Sequence, residues 1–308
     1  MKRTLLVLVF TWFALFLFTF PALAKVQVVV TIPDYGDLAK QVGGDHVKVT
    51  ALLKPTQDPH FADATPSHLV ALSRADLLVY TGMELESGWL PPLINNARNA
   101  KIANGAPGHL DVSTVIKALG IKKGMVDRAF GDIHPGGNPH FWTDPRNGLS
   151  IASEITRRLS EIDPENRENY EKGFAVFKQS LESKIAQWQE KLAPLKGTKV
   201  VVYHESWDYF LDWIGFEQAG TLEPKPGVPP SPGHVAKLIR QVKEKNVRLI
   251  LQESFYPTNL SKVFADKTGA QLLVMPTMVG ALPGTDSYIE LIDTMVLMIS
   301  KPISNQGE

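Results

Sequence analysis

Asp163-Pro164-Glu165-Asn166-Arg167-Glu168-Asn169-Tyr170 opens a stretch that runs without a second proline to Pro194. Within it Tyr170, Phe174, Phe177, Leu181, Ile185, Trp188 and Leu192 recur at spacings of 4, 3, 4, 4, 3 and 4. That is a narrow apolar stripe along one face of a helix. Asp163 is placed to cap its start, with Pro164 at the first helical position. About 29 residues at 1.5 Å each give a rod of roughly 43 Å. A coiled-coil partner helix would show the same stripe. An intramolecular linker is the simpler reading, because both flanks look globular.

Before the rod, β-branched runs alternate with helical patterns. Val26-Gln27-Val28-Val29-Val30, Val47 to Leu53 and Leu77-Leu78-Val79-Tyr80 read as strands. Tyr35 to Val42 and Pro66 to Leu72 read as the helices between them. After the rod the scheme returns. Lys199 to Tyr203, Arg248 to Gln252 and Gln271 to Met275 read as strands, with helices over His234 to Lys245 and Asn259 to Thr268. Strand–helix alternation argues a parallel sheet. The expected fold is α/β, two lobes each with a parallel sheet flanked by helices, joined by one long rigid helix. The divisions are a leader over 1–24, a first lobe over 25–162, the linking helix over 163–194 and a second lobe over 195–308. No internal repeat is visible. The Pro- and Gly-rich segment 219–233 reads as a rigid surface loop, and 129–138 as a second loop carrying Asp132 and His134.

The first 24 residues read as a secretory leader. Lys2 and Arg3 precede an apolar run from Leu5 to Phe20, and Ala22-Leu23-Ala24 has the small residues of a cleavage site. A retained membrane anchor is the alternative. There is no cysteine, so neither disulfides nor an N-terminal lipidated cysteine are available. The 284 residues that follow suit two ordinary domains, and a chain of that size buries a core without disulfides. Acidic and basic residues balance at 32 each, and no basic block stands out. Nucleic acid is therefore not an expected partner.

Three histidines carry the chemistry. His60 sits in Gln57-Asp58-Pro59-His60, His140 in Asn138-Pro139-His140-Phe141-Trp142, and His204 directly after the strand ending at Tyr203. Open α/β sheets bind ligands beyond the carboxyl ends of their strands. Glu253 follows the strand ending at Gln252, and His60 lies in the turn after the Val47 strand. Neutral imidazole is the commonest ligand of zinc and related metals. Taken singly, His60 or His140 is more simply a turn histidine; together, all at strand ends or Pro-rich turns, the three point to a metal site. Gaps of 80 and 64 residues exclude a zinc finger. Phe141 and Trp142 are placed to wall a dry pocket. Glu253 is either a ligand or a carboxylate that orients an imidazole. His46, His68, His109 and His234 lack this context and read as surface or capping histidines. Glu205 reads as a solvated neighbour.

These segments, with Glu223-Pro224-Lys225-Pro226-Gly227, Ser231-Pro232-Gly233-His234 and Gly284-Thr285-Asp286-Ser287-Tyr288, resemble the zinc/manganese solute-binding proteins of ABC importers. The resemblance spans nearly the whole chain after the leader. It implies two α/β lobes on one long helix, metal held between them, and His60, His140 and His204 at the nitrogen-ligand positions. The family's fourth ligand, an aspartate, falls in Pro276-Thr277-Met278-Val279-Gly280, where Met278 stands in its place. Glu253, Asp286, His134 and a water remain as fourth ligands. Three imidazoles favour Zn2+ over Mn2+, which prefers oxygen. The resemblance implies a periplasmic, monomeric capture protein that delivers Zn2+ to an ABC permease without catalysis. The rival is a zinc-dependent hydrolase, with a water on the three-histidine site and Glu205 or Glu253 as general base.

Overall fold

The computed structural model of the protein describes residues 25–121, 134–225 and 227–304. The expected leader and Asp132 lie outside the described residues. Strands β1 (Val26–Val30), β2 (Val47–Ala51), β3 (Leu77–Tyr80) and β4 (His109–Asp111) form one parallel sheet in the order β2-β1-β3-β4. Strands β5 (Lys199–Val202), β6 (Glu217–Thr221), β7 (Leu249–Glu253) and β8 (Gln271–Met275) form a second, in the order β6-β5-β7-β8. Counted from its own first strand, each sheet has the same order, although no sequence repeat announces it.

Each sheet holds one strand beyond those the sequence predicts. β4 is three residues long. β6 takes Ala219–Thr221 out of the expected loop 219–233, because it is a half-exposed edge strand, Glu217-Gln218-Ala219-Gly220-Thr221, without apolar alternation. Its register with β5 shifts between Val200 and Val201.

Helices α1 (Pro33–Gly43), α2 (Pro66–Arg74), α3 (Leu90–Ala97) and α4 (Pro145–Ile162) precede the long helix α5 (Arg167–Leu192). After it come α6 (Asp208–Ile214), α7 (Pro232–Glu244), α8 (Asn259–Thr268) and α9 (Tyr288–Ser304). Proline opens α1, α2, α4 and α7, where its missing N–H costs nothing. Thr65, Asp144 and Ser231 cap three of these starts with a side-chain oxygen. No described helix is long and apolar enough to cross a membrane.

The linking helix is shorter than the expected rod. It spans 26 residues, about 39 Å, because Pro164–Asn166 and Ala193–Leu195 form tight 3-10 turns at its ends. Asp163 makes no backbone cap. Its carboxylate accepts the Tyr170 hydroxyl at 2.6 Å and the Asn166 amide at 2.8 Å. The apolar stripe faces inward as its spacing requires, with Tyr170, Phe177, Leu181, Trp188 and Leu192 buried.

One apolar cluster runs through both lobes. It joins Val28 and Val30 of the first sheet, the stripe of α5, Val200, Val202 and Leu251 of the second sheet, and Leu291 and Met295 of α9. Val201 and Ile250 point the other way, into a separate cluster with Leu238 and Phe264 of α7 and α8, as the two-residue period of a strand demands. Helix α9 crosses back to pack on α5 and α1. There the Tyr288 N–H donates to Asp37 at 2.9 Å.

Candidate metal centre

The first centre residue, His60, lies in the turn beyond β2, and His204 lies two residues beyond β5. His140 caps the short 3-10 turn Phe141–Thr143 that leads into α4. The three side chains are buried and converge. Each offers a donor atom, and these lie within 4.8 Å of one another. The rings stand 5.1 Å (His60–His140), 5.2 Å (His60–His204) and 5.2 Å (His140–His204) apart, centre to centre.

Every ring is gripped from behind. His60 Nδ1 meets Asp58 Oδ1 at 2.7 Å, His140 Nδ1 meets Asn138 Oδ1 at 2.8 Å, and His204 Nδ1 meets Glu223 Oε2 at 2.7 Å. All three partners are acceptor oxygens, so each Nδ1 carries the proton and each Nε2 keeps its lone pair. Burial, and then the neighbouring His60, His204 and His134 rings, hold His140 well below the usual imidazole range. It is therefore neutral, as a metal ligand must be.

The orienting residues were in the quoted motifs but were not singled out. A repeated pattern marks two of them, Asp58-Pro59-His60 and Asn138-Pro139-His140. In each, the first side chain accepts the histidine's backbone N–H (3.0 and 2.9 Å) as well as its ring proton. The intervening proline fixes its own φ. Glu223 arrives from beyond the edge strand β6, which no apolar pattern reveals.

His134 stands at the rim. Its Nδ1 donates to the Met83 carbonyl at 2.9 Å, and its Nε2 is 3.4 Å from His60 Nε2. Trp142 walls the pocket as its position predicts, 5.4 Å from His140, with its indole N–H donated to the Thr277 carbonyl at 2.7 Å. Met278 is fully buried in the shared apolar cluster. Asp286 is exposed ahead of α9. The Glu205 carbonyl accepts the Asn138 amide at 2.5 Å. His46, His68, His109 and His234 do not join the converging donors.

Glu253 does not join them either. It ends β7, fully buried, with one oxygen accepting the Ser206 hydroxyl and the other unpartnered among the described residues. Nor is it hydrogen-bonded to an imidazole; Asp58, Asn138 and Glu223 do that work. Burial pushes its carboxyl up to about 8, against the Ser206 hydrogen bond, which lowers it. The folded protein thus holds a proton there that the unfolded chain releases near pH 4.3. Stability from this group is lost as pH rises toward 8, by at most about 1.4 kcal/mol per pH unit. Glu253→Gln is expected to abolish that loss. Urea unfolding of apo protein at pH 6.5 and pH 8 checks it, and an unchanged difference between the two pH values would show that Glu253 is ionised throughout.

Comparison with known proteins fits this geometry. A family model described as zinc-uptake complex component A, periplasmic, matches residues 28–301. The iron-binding protein YfeA of Yersinia pestis is 27% identical over 286 residues, covering 90% of this chain and 86% of its own. The manganese ABC transporter substrate-binding lipoprotein PsaA of Streptococcus pneumoniae is 26% identical over 235 residues, covering 75% and 72%. A crystal structure of ZnuA superposes with a TM-score of 0.75 at 28% identity, covering 90% of this chain and 98% of that one.

Proposed function

Since the chain belongs to the zinc-uptake complex component A family, the metal-binding components of ABC importers, we propose that it captures Zn2+ in the periplasm and delivers it, as a monomer, to an ABC permease. Supporting this most directly are the three imidazoles whose Nδ1 protons are committed to Asp58, Asn138 and Glu223. His60, His140 and His204 supply three Nε2 ligands, a nitrogen set that suits zinc better than manganese. His134 supplies the fourth. Its Nε2 stands 3.4 Å from His60 Nε2, although it lies outside the three donors that are all within 4.8 Å of one another, so it closes on the ion only by a small movement. Glu253 acts behind the ligands. The hydrolase reading draws no support from it, since one of its two candidate bases keeps its proton to about pH 8.

A nanomolar Kd, worth about −12 kcal/mol, is the affinity expected of such a site. Relatives named for iron and manganese make selectivity the critical measurement. Competition titration of the apo protein against a calibrated chelator should place zinc in the nanomolar range and manganese at least a hundredfold weaker. Tighter binding of manganese, or millimolar binding of zinc, would overturn the proposal.

A further inference from the structure

Two of the proposed ligands that precede the long helix, His60 and His140, are each oriented by a side chain that also reaches across to the other lobe. Asp58 receives the His60 ring on Oδ1 and the Tyr256 hydroxyl on Oδ2, the latter at 2.9 Å across 198 residues of sequence. Asn138 receives the His140 ring on Oδ1 and donates its amide to the Glu205 carbonyl. One end of each anchor holds an imidazole. Its other end is held by residues that follow the long helix.

Tyr256 is itself firmly placed. Its backbone closes a turn off the end of β7: its N–H donates to the Glu253 carbonyl at 3.3 Å, and its own carbonyl accepts the Gln252 amide at 2.8 Å. Its ring lies between Tyr203 at 5.0 Å and His204 at 5.9 Å. It therefore moves with the second sheet and with His204, while its hydroxyl reports on Asp58.

From this placement we propose that Tyr256 is a positioning residue: its bond to Asp58 makes the aim of the His60 lone pair conditional on the apposition of the two lobes. The inference rests on the reading of the three histidines as metal ligands. With the lobes together, Asp58 is fixed by Tyr256 and its Oδ1 sets the His60 ring. With the lobes shifted, Asp58 keeps the ring but loses its own anchor. The ligand then swivels, and the ion leaves from a loosened site. Tyr256 touches no metal, so its removal acts on release rather than on capture.

Stopped-flow zinc dissociation into excess chelator tests this on the full mature chain, with association measured in parallel. Tyr256→Phe keeps the ring stack and removes only the hydroxyl, so the apo melting temperature should stay close to wild type. Its zinc off-rate should rise roughly tenfold, the lower end of the usual effect of outer-shell partners, with the on-rate unchanged. Tyr203→Phe, in the same stack but outside the Asp58 bond, should release zinc at the wild-type rate. In an Asp58→Ala background, adding Tyr256→Phe should change nothing further, because the two act through one bond. An off-rate of Tyr256→Phe within twofold of wild type would overturn the proposal. So would equal increments in the two backgrounds, or a matching rise in Tyr203→Phe. Absence of zinc binding in the wild type would instead refute the metal reading itself.

Discussion

His140→Ala is expected to weaken zinc binding by about a thousandfold or more. Loss of an outer partner of a metal ligand costs ten- to hundredfold, and His140 is proposed as a ligand itself. Burial and the neighbouring rings also keep it neutral. Competition titration against a chelator reads the loss, with His60→Ala and His204→Ala as companions. Wild-type affinity in two of the three would refute the site. Met278→Ala is the informative contrast. Met278 lies in the apolar cluster, so its truncation should cost about 2–5 kcal/mol of stability while the zinc affinity stays near wild type.

Zinc should raise the thermal stability of the protein sharply. An ion that binds only the folded state contributes about 4 kcal/mol at a thousandfold excess over Kd, which corresponds to a rise in Tm of roughly 10 °C for a chain of this size. The gap between zinc-loaded and chelated samples should shrink as pH falls from about 6.5 down through the folded range of the ligand imidazoles, where protons compete with the ion in the folded apo protein. The sign for the apo protein follows from His140. Its folded range is depressed, so the unfolded chain binds a proton that the folded one refuses, and apo stability also falls as pH drops through the same window. Differential scanning calorimetry with and without chelator checks both. Coincident melting curves would show that no ion is bound through the fold.

The fold was legible in most strands of both sheets and in the long helix. β1, β3, β5, β7 and β8 are buried on at least one face and read as runs of valine and leucine. The stripe of α5 read from its spacing because that helix packs along one side. The edge strand β6, the three-residue β4, the seven-residue α6 and the eight-residue α3 escaped because their patterns are weak or short, whereas α4 and α9, 18 and 17 residues long, were missed although they are long. The rod came out overlong because the segments around its flanking prolines, Pro164–Asn166 and Ala193–Leu195, form 3-10 turns rather than α-helix. In the centre, the three histidines were visible as residues at strand ends and Pro-rich turns. Their acceptors were not, since Glu223 reaches His204 through tertiary structure alone. Asp58 and Asn138 were hidden differently: they sit two residues before their histidines, and only the shared Asx-Pro-His pattern exposes their role. Glu253 attracted a ligand role by its place at the end of a strand, yet its depth in the molecule keeps it protonated at neutral pH.

The apolar cluster that runs unbroken from the first sheet through α5 and α9 into the second also governs how long an ion stays. A wide hinge would have to wet part of it. Exposing even ~200 Å2 of apolar surface costs about 5 kcal/mol at 25 cal/mol per Å2, which makes such an excursion a few thousandfold rarer than the closed form. Wide gaping is thus a minor excursion from the closed form. Small sliding of packed elements, which keeps the cluster dry, remains cheap. Under the proposed delivery to a permease, the membrane partner shortens the ion's stay by supplying the push.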